Sequence, residues 1–439
     1  MEPIVIVGFG TGAIGAVRAI IAKSRETDVV VVERRDFDTY SPCGMPYVVE
    51  GIAEHHALKH EFPGGARLRK LLGTEAVFVD RKEKKLGIRD GGGERSISYS
   101  SLILDTGSRP LVPPVPFDPG LLGNGVYTFG KPGDVDMILG ALADMERVVV
   151  VGAGAIGLEL AQAFAHRKKQ VVLLDMLPQP MYNSFDPDMA KLAVEALPTG
   201  IETHFSTPME NIMGQERVTG VVAGSMEFHA DAVVLCAGVV PETGLAEKAG
   251  LETSKLGIVV DNNMRTSDPD IYAVGDCIQG MCRITGGPTA SRIAPPALHQ
   301  GRVAGLNAIG VETVYNGSTG AFVTVIGDVE FASAGLKSSD GHGLQSAKMT
   351  VGHRPDYMGA RDVVLKMVSD ENGRLLGAQA CGPGAASIVN RLVVAISAGM
   401  TVQELGECEF AYCPPVNDIF DPVTITSEAL ARKLARRRK

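Results

Sequence analysis

One cysteine stands in a setting that could make its thiol chemically active. Cys43 follows Pro42 and precedes Gly44, within the segment of residues 40–47. Glycine and proline near a helix start predict a thiol at a helix N-terminus, where the dipole and free N–H groups favour the thiolate. Such a thiolate can form a mixed disulfide, a persulfide or a sulfenic acid. From composition alone, the alternative is a buried structural thiol.

The cysteines as a set indicate one redox-active residue rather than a framework. There are seven, irregularly spaced and without a C-x-x-C motif, so neither a disulfide network nor a zinc site is expected. Residue 48 is Val, so Cys43 has no close partner for an internal disulfide. Two alternatives stay open: Cys413 as a second redox thiol or inert packing, and a redox pair of Cys277 with Cys282.

Two glycine-rich turns predict dinucleotide-binding sites. Each follows a β-branched strand and leads into an amphipathic helix and a second strand that ends at an acid, Glu33 or Asp175. In this order the helix N-terminus binds a pyrophosphate and the acid binds a ribose. Two complete units imply two dinucleotides. The turn residues are Gly8, Gly10, Thr11, Gly12 and Ala13 in the first unit, and Gly152, Gly154, Ile156 and Gly157 in the second.

The first turn can be aligned in two frames. A frame from Gly10 to Gly15 also fits, but we favour the frame that begins at Gly8, because Gly8 directly follows the strand. Segments 99–110 and 230–241, each a strand ending in a turn, extend the duplication.

A strand before Gly275 and Asp276 could place a carboxylate near a polyol or phosphate. A plain helix cap is the alternative for that acid.

Beyond residue 320 the pattern changes to alternating strands followed by helices. Strands are predicted at 321–326, 329–333, 363–368 and 375–380, and helices at 386–398 and 424–434. This module carries no cofactor motif. We therefore predict an α/β protein with two Rossmann-like dinucleotide-binding domains and a C-terminal α+β oligomerisation domain. The first dinucleotide-binding domain is predicted to comprise residues 1–113 and 246–319. The second is predicted to comprise 114–245, and the C-terminal domain 320–439.

Composition excludes several classes of protein. The chain has 439 residues, a net charge of −9, no Trp and only 5% aromatic residues, which is unfavourable for a nucleic-acid binder that stacks bases. No secretion signal or bilayer-length apolar run is visible, so a reducing cytoplasm is expected and no membrane contact is predicted. The basic residues Arg432, Lys433, Arg436, Arg437, Arg438 and Lys439 are interpreted as a solvated helix end. Electrostatic docking to RNA or a membrane is the alternative for that tail.

Taken in order, these segments resemble the pyridine nucleotide-disulfide oxidoreductases over residues 1–425. The resemblance is to the single-cysteine branch, with coenzyme A disulfide reductases, NADH oxidases and NAD(P)H:sulfur oxidoreductases. Its landmarks are the loop 8–13 with Glu33, the Cys-Gly-Met-Pro-Tyr segment 43–47, the Thr-Gly-Ser-Arg-Pro segment 106–110, the loop 152–159, and segments 273–276, 299–302 and 412–415.

The resemblance implies roles for individual residues. FAD would be held by Gly8, Gly10, Thr11, Gly12, Ala13, Glu33, Arg34, Thr106, Gly107 and Asp276. NADH or NADPH would be held by Gly152, Gly154, Ile156, Gly157, Glu159 and Asp175. The acid at Asp175 favours NADH, whereas the basic run 166–169 leaves NADPH open. The catalytic residues would be Cys43, Tyr412 and His299.

The implied activity is that of an FAD-dependent NAD(P)H oxidoreductase. It would reduce a disulfide or polysulfide, such as coenzyme A disulfide, through Cys43. The implied assembly is a homodimer, formed through a C-terminal α+β dimerisation domain, in which Tyr412 approaches Cys43 of the partner subunit. The alternatives are an NADH oxidase that reduces oxygen through a cysteine sulfenic acid, an NADH-dependent reductase of a small carrier protein, and a slowly reacting redox-sensing module. No metal and no nucleic acid is predicted.

Overall fold

The computed structural model describes residues 2–437 and divides the chain into two compact units. The first comprises Met1–Pro110, Gly130–Pro132 and Val239–Ser318, and the second comprises Leu111–Phe129, Gly133–Gly238 and Thr319–Lys439. The three-domain division from the sequence is finer than this and stays a prediction.

Residues 2–437 form 29 strands and ten α-helices. Up to residue 110 the elements are β1 Ile4–Val7, α1 Thr11–Lys23, β2 Val29–Val32, β3 Thr39–Tyr40, α2 Met45–Glu50, β4 Lys59–His60, β5 Leu68–Leu71, β6 Glu75–Asp80, β7 Lys85–Asp90, β8 Gly93–Ser98, β9 Ser101–Leu104 and β10 Ser108–Pro110. They continue with β11 Val126–Thr128, α3 Pro132–Ala141, β12 Arg147–Val151, α4 Ala155–His166, β13 Gln170–Leu174, α5 Pro187–Ala196, β14 Ile201–His204, β15 Met209–Gly214, β16 Val218–Ala223, β17 Met226–His229 and β18 Ala232–Leu235. Next come β19 Val239–Pro241, α6 Gly244–Lys248, β20 Thr253–Ser254, β21 Gly257–Val259, β22 Ile271–Ala273, β23 Ile278–Met281, β24 Pro288–Thr289 and α7 Ala294–Ala308. The chain ends with β25 Phe322–Ile326, β26 Val329–Gly335, β27 Gln345–Gly352, β28 Asp362–Ser369, β29 Leu375–Cys381, α8 Ala385–Ala398, α9 Val402–Gly406 and α10 Pro422–Arg437.

A parallel sheet of order β22-β9-β1-β2-β5 forms the core of the first unit. Its central strands are short apolar runs, rich in β-branched residues and buried, as is usual when helices cover both faces of a sheet. Because these strands are parallel, the carboxyl ends of β1, β9 and β22 lie at the same edge of the sheet. Ligands of such sheets bind at this edge.

The second unit repeats this topology. Its parallel sheet has the order β11-β18-β12-β13-β14, in which β12 and β13 take the places of β1 and β2. Each repeat also carries a three-stranded antiparallel sheet, β6–β8 in one and β15–β17 in the other. The duplication that the glycine turns predicted therefore extends through the whole nucleotide-binding architecture.

The C-terminal part of the second unit is an antiparallel sheet of order β25-β26-β29-β28-β27. The four predicted strands and two predicted helices are present, with α10 beginning at Pro422, two residues before the predicted start. Strand β27 was not predicted, since its Lys, Thr and Gly residues hide the alternation of a strand.

The basic end of the chain lies partly within α10. Lys433 Nζ donates to the carbonyl oxygen of Ser346 at 2.8 Å, and Arg432 pairs with Glu428 at 3.1 Å. Arg438 and Lys439 lie outside the described residues. Within residues 2–437, no helix combines the length and the apolar character that crossing a bilayer requires.

Candidate active site

The first glycine turn forms between β1 and α1. Gly8 has φ +92°, and a Cβ at this position would lie 2.1 Å from the carbonyl oxygen of Asp105. Only glycine fits here without moving the backbone. Gly15 instead packs against α7, since a Cβ added at this position would lie 2.2 Å from the carbonyl oxygen of Leu298. The tight turn is thus made at Gly8, and the glycine of the alternative frame serves helix packing.

The acid after β2 fits a dinucleotide-binding turn. Glu33 is buried, and its carboxylate accepts the N–H groups of Phe9 and Arg35, both at 2.8 Å. The guanidinium of Arg35 pairs with the same carboxylate at 2.9 Å. Together with α1, whose N-cap Gly10 has no side chain to cap the helix, these residues fit a bound flavin dinucleotide. Arg34 beside them is exposed.

The second turn repeats the first in detail. Asp175 accepts the N–H groups of Ala153 at 2.6 Å and Leu177 at 2.8 Å, at the positions that Phe9 and Arg35 occupy in the first turn. Gly152 has φ +108°, and a Cβ at Gly157 would lie 1.8 Å from the carbonyl oxygen of Gly152. These contacts fit a second dinucleotide at the N-terminus of α4.

Three further residues of the predicted nicotinamide site lie at the start of α4. Gly154 is its N-cap and is exposed, as is Ile156, with 41% of its surface accessible. Glu159 points instead to the C-terminal sheet, where it accepts a hydrogen bond from Thr324 Oγ1 at 2.8 Å. Burial raises the pKa of Glu159, against the lowering effect of that hydrogen bond.

Polar residues at the ends of β9 and β22 complete the first turn. Asp276 accepts a hydrogen bond from Ser108 Oγ at 2.9 Å, and burial raises the pKa of its carboxyl. Thr106 Oγ1 donates to the carbonyl oxygen of Glu242 at 2.6 Å, and Gly107 takes a positive φ of +73°. A carboxylate and a glycine turn therefore lie at the edge of the sheet where the dinucleotide is expected.

Sequence reasoning missed a second buried carboxylate at this edge. Asp105 directly follows β9, and its Oδ2 accepts the N–H of Ala13 at 2.8 Å. Burial raises the pKa of Asp105 to about 7, opposed by hydrogen bonds from Ala13 and Gly10 and reinforced by the charge of Asp276. The signal was available, because an acid after a buried strand was the reason for selecting Asp276.

Cys43 lies in a short 3-10 turn, Pro42–Gly44, directly before α2. Its side chain is exposed. The turn is held from the other side by the 3-10 segment His55–Leu58 and β4. The N–H of Ser41 donates to the carbonyl oxygen of Leu58 at 2.9 Å, and Ser41 Oγ lies 2.8 Å from His60 Nε2. These contacts fix the backbone that presents the thiol.

Three of the other cysteines are unsuited to thiolate chemistry. Burial raises the pKa of Cys236 to about 12 and that of Cys277 and Cys381 to about 11 each. Cys277 donates to the carbonyl oxygen of Val274 at 3.2 Å, and both it and Cys282 are free thiols. The structure thus gives no support to a redox pair of Cys277 with Cys282.

Tyr412 lies in a loop of the second unit that the side chain of Asn417 helps to close. Asn417 Oδ1 accepts the N–H of Cys413 at 2.9 Å, and Asn417 Nδ2 donates to the carbonyl oxygen of Ala411 at 2.6 Å. Tyr412, between these two anchored residues, is 47% exposed. Partial desolvation and a hydrogen bond with Tyr357 raise the pKa of Tyr412, which keeps its hydroxyl protonated.

The third predicted catalytic residue, His299, is exposed on α7 of the first unit. Its neighbour Gln300 is buried and accepts the N–H of Gly275 at 2.9 Å. Cys43 and His299 thus belong to the first unit and Tyr412 to the second.

Comparison with known proteins agrees with this geometry. A family model described as pyridine nucleotide-disulphide oxidoreductase matches residues 2–301, and the model of that family's dimerisation domain matches residues 322–423. The chain belongs to the pyridine nucleotide-disulphide oxidoreductase family. The predicted family, fold class, enzyme class and cofactors are thereby confirmed: the protein is an NAD(P)H-dependent flavoprotein oxidoreductase that uses FAD.

Individual relatives cover nearly the whole chain. An NADH oxidase of Methanocaldococcus jannaschii is 33% identical over 98% of this chain and 99% of its own length. A CoA-dependent NAD(P)H sulfur oxidoreductase of Pyrococcus furiosus is 30% identical over 98% of this chain and 99% of its own. A solved NAD-dependent persulfide reductase from A. fulgidus has a TM-score of 0.92 and 31% identity, covering 98% of this chain and 83% of that one.

Proposed function

We propose that this protein reduces polysulfide or a small disulfide, such as coenzyme A disulfide, with Cys43 as its single redox-active residue. The observation that carries the proposal is the exposed thiol of Cys43 in a braced turn at the start of α2. Two similar proteins carry names that refer to substrates of this class. They are the sulfur oxidoreductase of Pyrococcus furiosus and the persulfide reductase from A. fulgidus.

The chain's own chemistry centres on one exchange of sulfur–sulfur bonds. The Cys43 thiolate attacks a sulfur of the substrate, a Cys43–sulfur bond forms, and the substrate's S–S bond breaks to release a thiolate or a shortened polysulfide. FAD and the nicotinamide dinucleotide, when bound, supply the two electrons that restore the Cys43 thiolate. The helix start at α2 favours the thiolate that begins and ends this cycle.

The released thiolate needs a proton, and Tyr412 is the donor that we propose. Its hydroxyl is partly exposed, and its raised pKa keeps the proton on the oxygen at neutral pH. The dimerisation domain supports a homodimer. In that homodimer, Tyr412 of one subunit is proposed to serve Cys43 of the partner subunit. His299, exposed on α7, is proposed to contact the substrate thiol.

NADH is the proposed electron donor. Asp175 is held by two main-chain N–H groups at the end of β13, where a carboxylate accepts a hydrogen bond from a ribose hydroxyl and repels a 2′-phosphate. Gly152, Gly154 and Gly157 would place the pyrophosphate at the N-terminus of α4. Ile156 would border the same dinucleotide.

The test is anaerobic NADH oxidation with polysulfide, coenzyme A disulfide and a small redox carrier protein as separate acceptors. We expect turnover with a sulfur acceptor and its loss by at least about 100-fold in Cys43→Ser, because the proposed covalent bond to the substrate sulfur is made by Cys43. Cys408→Ser is the matched control, since that thiol donates to the carbonyl oxygen of Glu404 within α9 and has no step assigned to it. A Cys43→Ser protein with full activity would contradict the proposal.

A second candidate is an NADH oxidase, favoured by the relative of that name in Methanocaldococcus jannaschii. Here Cys43 would pass through a sulfenic acid with oxygen as the acceptor. An aerobic arm of the same assay separates the two. Fast NADH consumption in air without any sulfur compound supports the oxidase, and slow consumption supports the sulfur reductase.

A further inference from the structure

The carboxyl group of Asp105 lies in a cradle made of glycines. Hypothetical Cβ atoms at Gly10, Gly12 and Gly275 would lie 2.9, 2.8 and 2.6 Å from its carboxylate oxygens. The side chain thus reaches from the end of β9 into the space between the glycine turn and the turn after β22. Asp105 as a whole is only 8% exposed.

Asp105 takes the place of a helix cap for α1. The N-cap residue Gly10 has no side chain, and Asp105 Oδ2 instead accepts the N–H of Ala13, the third residue of the helix, at 2.8 Å. Gly10 donates a second main-chain hydrogen bond to the same carboxyl group. A carboxylate therefore already occupies the inner side of the helix N-terminus that attracts a pyrophosphate.

The strongest charges acting on Asp105 come from two carboxylates. They are Glu33, from the end of β2, and Asp276, from the turn after β22. On α7, Gln300 is neutral and accepts the N–H of Gly275. The thiol of Cys277 also faces Asp105, and because burial raises its pKa to about 11 it stays uncharged at neutral pH.

We propose that Asp105 couples flavin binding to proton uptake, because its buried carboxylate must become a neutral acid when the doubly charged pyrophosphate arrives beside it. In the neutral form the acid still accepts the N–H of Ala13, so the turn keeps its shape. The proposal rests on the flavin cofactor and not on the electron acceptor.

The coupling between flavin binding and proton uptake has an expected magnitude. Burial raises the pKa of Asp105 to about 7, so the group is ionised in the dinucleotide-free protein above neutral pH. Each flavin bound there takes up close to one proton, and the affinity for FAD falls by up to about tenfold per pH unit. Below about pH 6 the group is already protonated, and the affinity is independent of pH.

The experiment is equilibrium dialysis of the purified protein against dilute FAD between about pH 6 and pH 9, with bound flavin read from its visible absorbance. We expect Asp105→Asn to bind FAD with nearly constant affinity, because the amide keeps an acceptor for Ala13 but cannot ionise. Asp118→Asn is the control, since Asp118 is exposed and accepts the N–H of Gly120 far along the chain from the turn. It should follow the wild type.

A second measurement needs no variant. Mixing the flavin-free protein with FAD in weakly buffered solution at about pH 8 should consume close to one proton per flavin, seen with an indicator dye. A wild-type affinity that does not change with pH, or no proton uptake, would overturn the proposal. So would an Asp105→Asn protein that folds and keeps the full pH dependence. Flavin binding that behaves as expected in a protein without sulfur reductase activity would contradict only the proposed function.

Discussion

A buried ion cluster in the second unit allows the strongest stability prediction. Lys366 Nζ on β28 contacts Asp186 at 3.0 Å and Asp188 at 2.7 Å, at the N-terminus of α5. The side chains of Lys366 and Asp186 are 9% and 1% exposed. Asp186 also accepts the N–H of Ser338 at 3.0 Å and Gln379 Nε2 at 2.8 Å. The cluster ties the helix of the nucleotide-binding half to the C-terminal sheet.

The magnitude follows from the ionisation of Asp186. Burial alone would raise its pKa, but hydrogen bonds from Ser338, Lys366 and Gln379 and the charge of Lys366 outweigh burial and lower the pKa from 3.8 to about 2. The lowered pKa corresponds to about 2 kcal/mol of stability, present above pH 3.8 and lost as the pH falls through about 2. Lys366→Met leaves a buried carboxylate without its cation, for which we expect a loss of about 3–5 kcal/mol at neutral pH.

Urea unfolding followed by circular dichroism measures this loss. Lys348→Met is the matched control, because Lys348 contacts the same Asp188 at 2.9 Å but is 40% exposed. It should lose no more than about 1 kcal/mol. Adding Asp186→Asn to Lys366→Met should restore part of the stability, since the buried charge is then gone. If Lys366→Met lost no more than Lys348→Met, the inferred role of burial in this cluster would be refuted.

Two further predictions concern the site. Gly8→Ala should lower the flavin content of the purified protein, measured by visible absorbance, because the new Cβ would lie 2.1 Å from the carbonyl oxygen of Asp105 at a φ of +92°. Gly64→Ala, where the Cβ meets no atom within 4 Å, should leave the flavin content unchanged, and an equal loss in both would contradict the account. Asn417→Ala should lower kcat several-fold with flavin content unchanged, because it removes both side-chain hydrogen bonds of the loop that carries Tyr412. An unaltered kcat would show that the loop needs no such anchor.

The parts of the protein that could be predicted are those in which short stretches of chain determine the structure. The glycine turns, their helices and the acids Glu33 and Asp175 lie within about 25 residues of one another, and each acid returns to its own turn. The C-terminal strands and helices also follow their local patterns. Two C-terminal elements were not predicted: the five-residue helix α9, and β27, whose pairing with β28 outweighs its weak strand pattern.

The contacts that could not be predicted join residues far apart in the chain. Asp105 meets Ala13 across 92 residues, because β1 and β9 are neighbours in the sheet. Ser41 meets His60 because β3 pairs with β4, two strands of only two residues each. Neither pairing leaves a periodic signal in the sequence. The contacts that hold the turn at Cys43, and the position of Asp105 beside the first glycine turn, are therefore seen only in the folded chain.

Peptide mass spectrometry of the protein after anaerobic treatment with polysulfide tests most directly whether Cys43 carries the transferred sulfur. We expect the peptide that contains Cys43 to gain one or more sulfur atoms, and we expect this added mass to disappear when NADH is supplied. Sulfur found on another cysteine, or an adduct on Cys43 that NADH leaves in place, would contradict the proposed reaction.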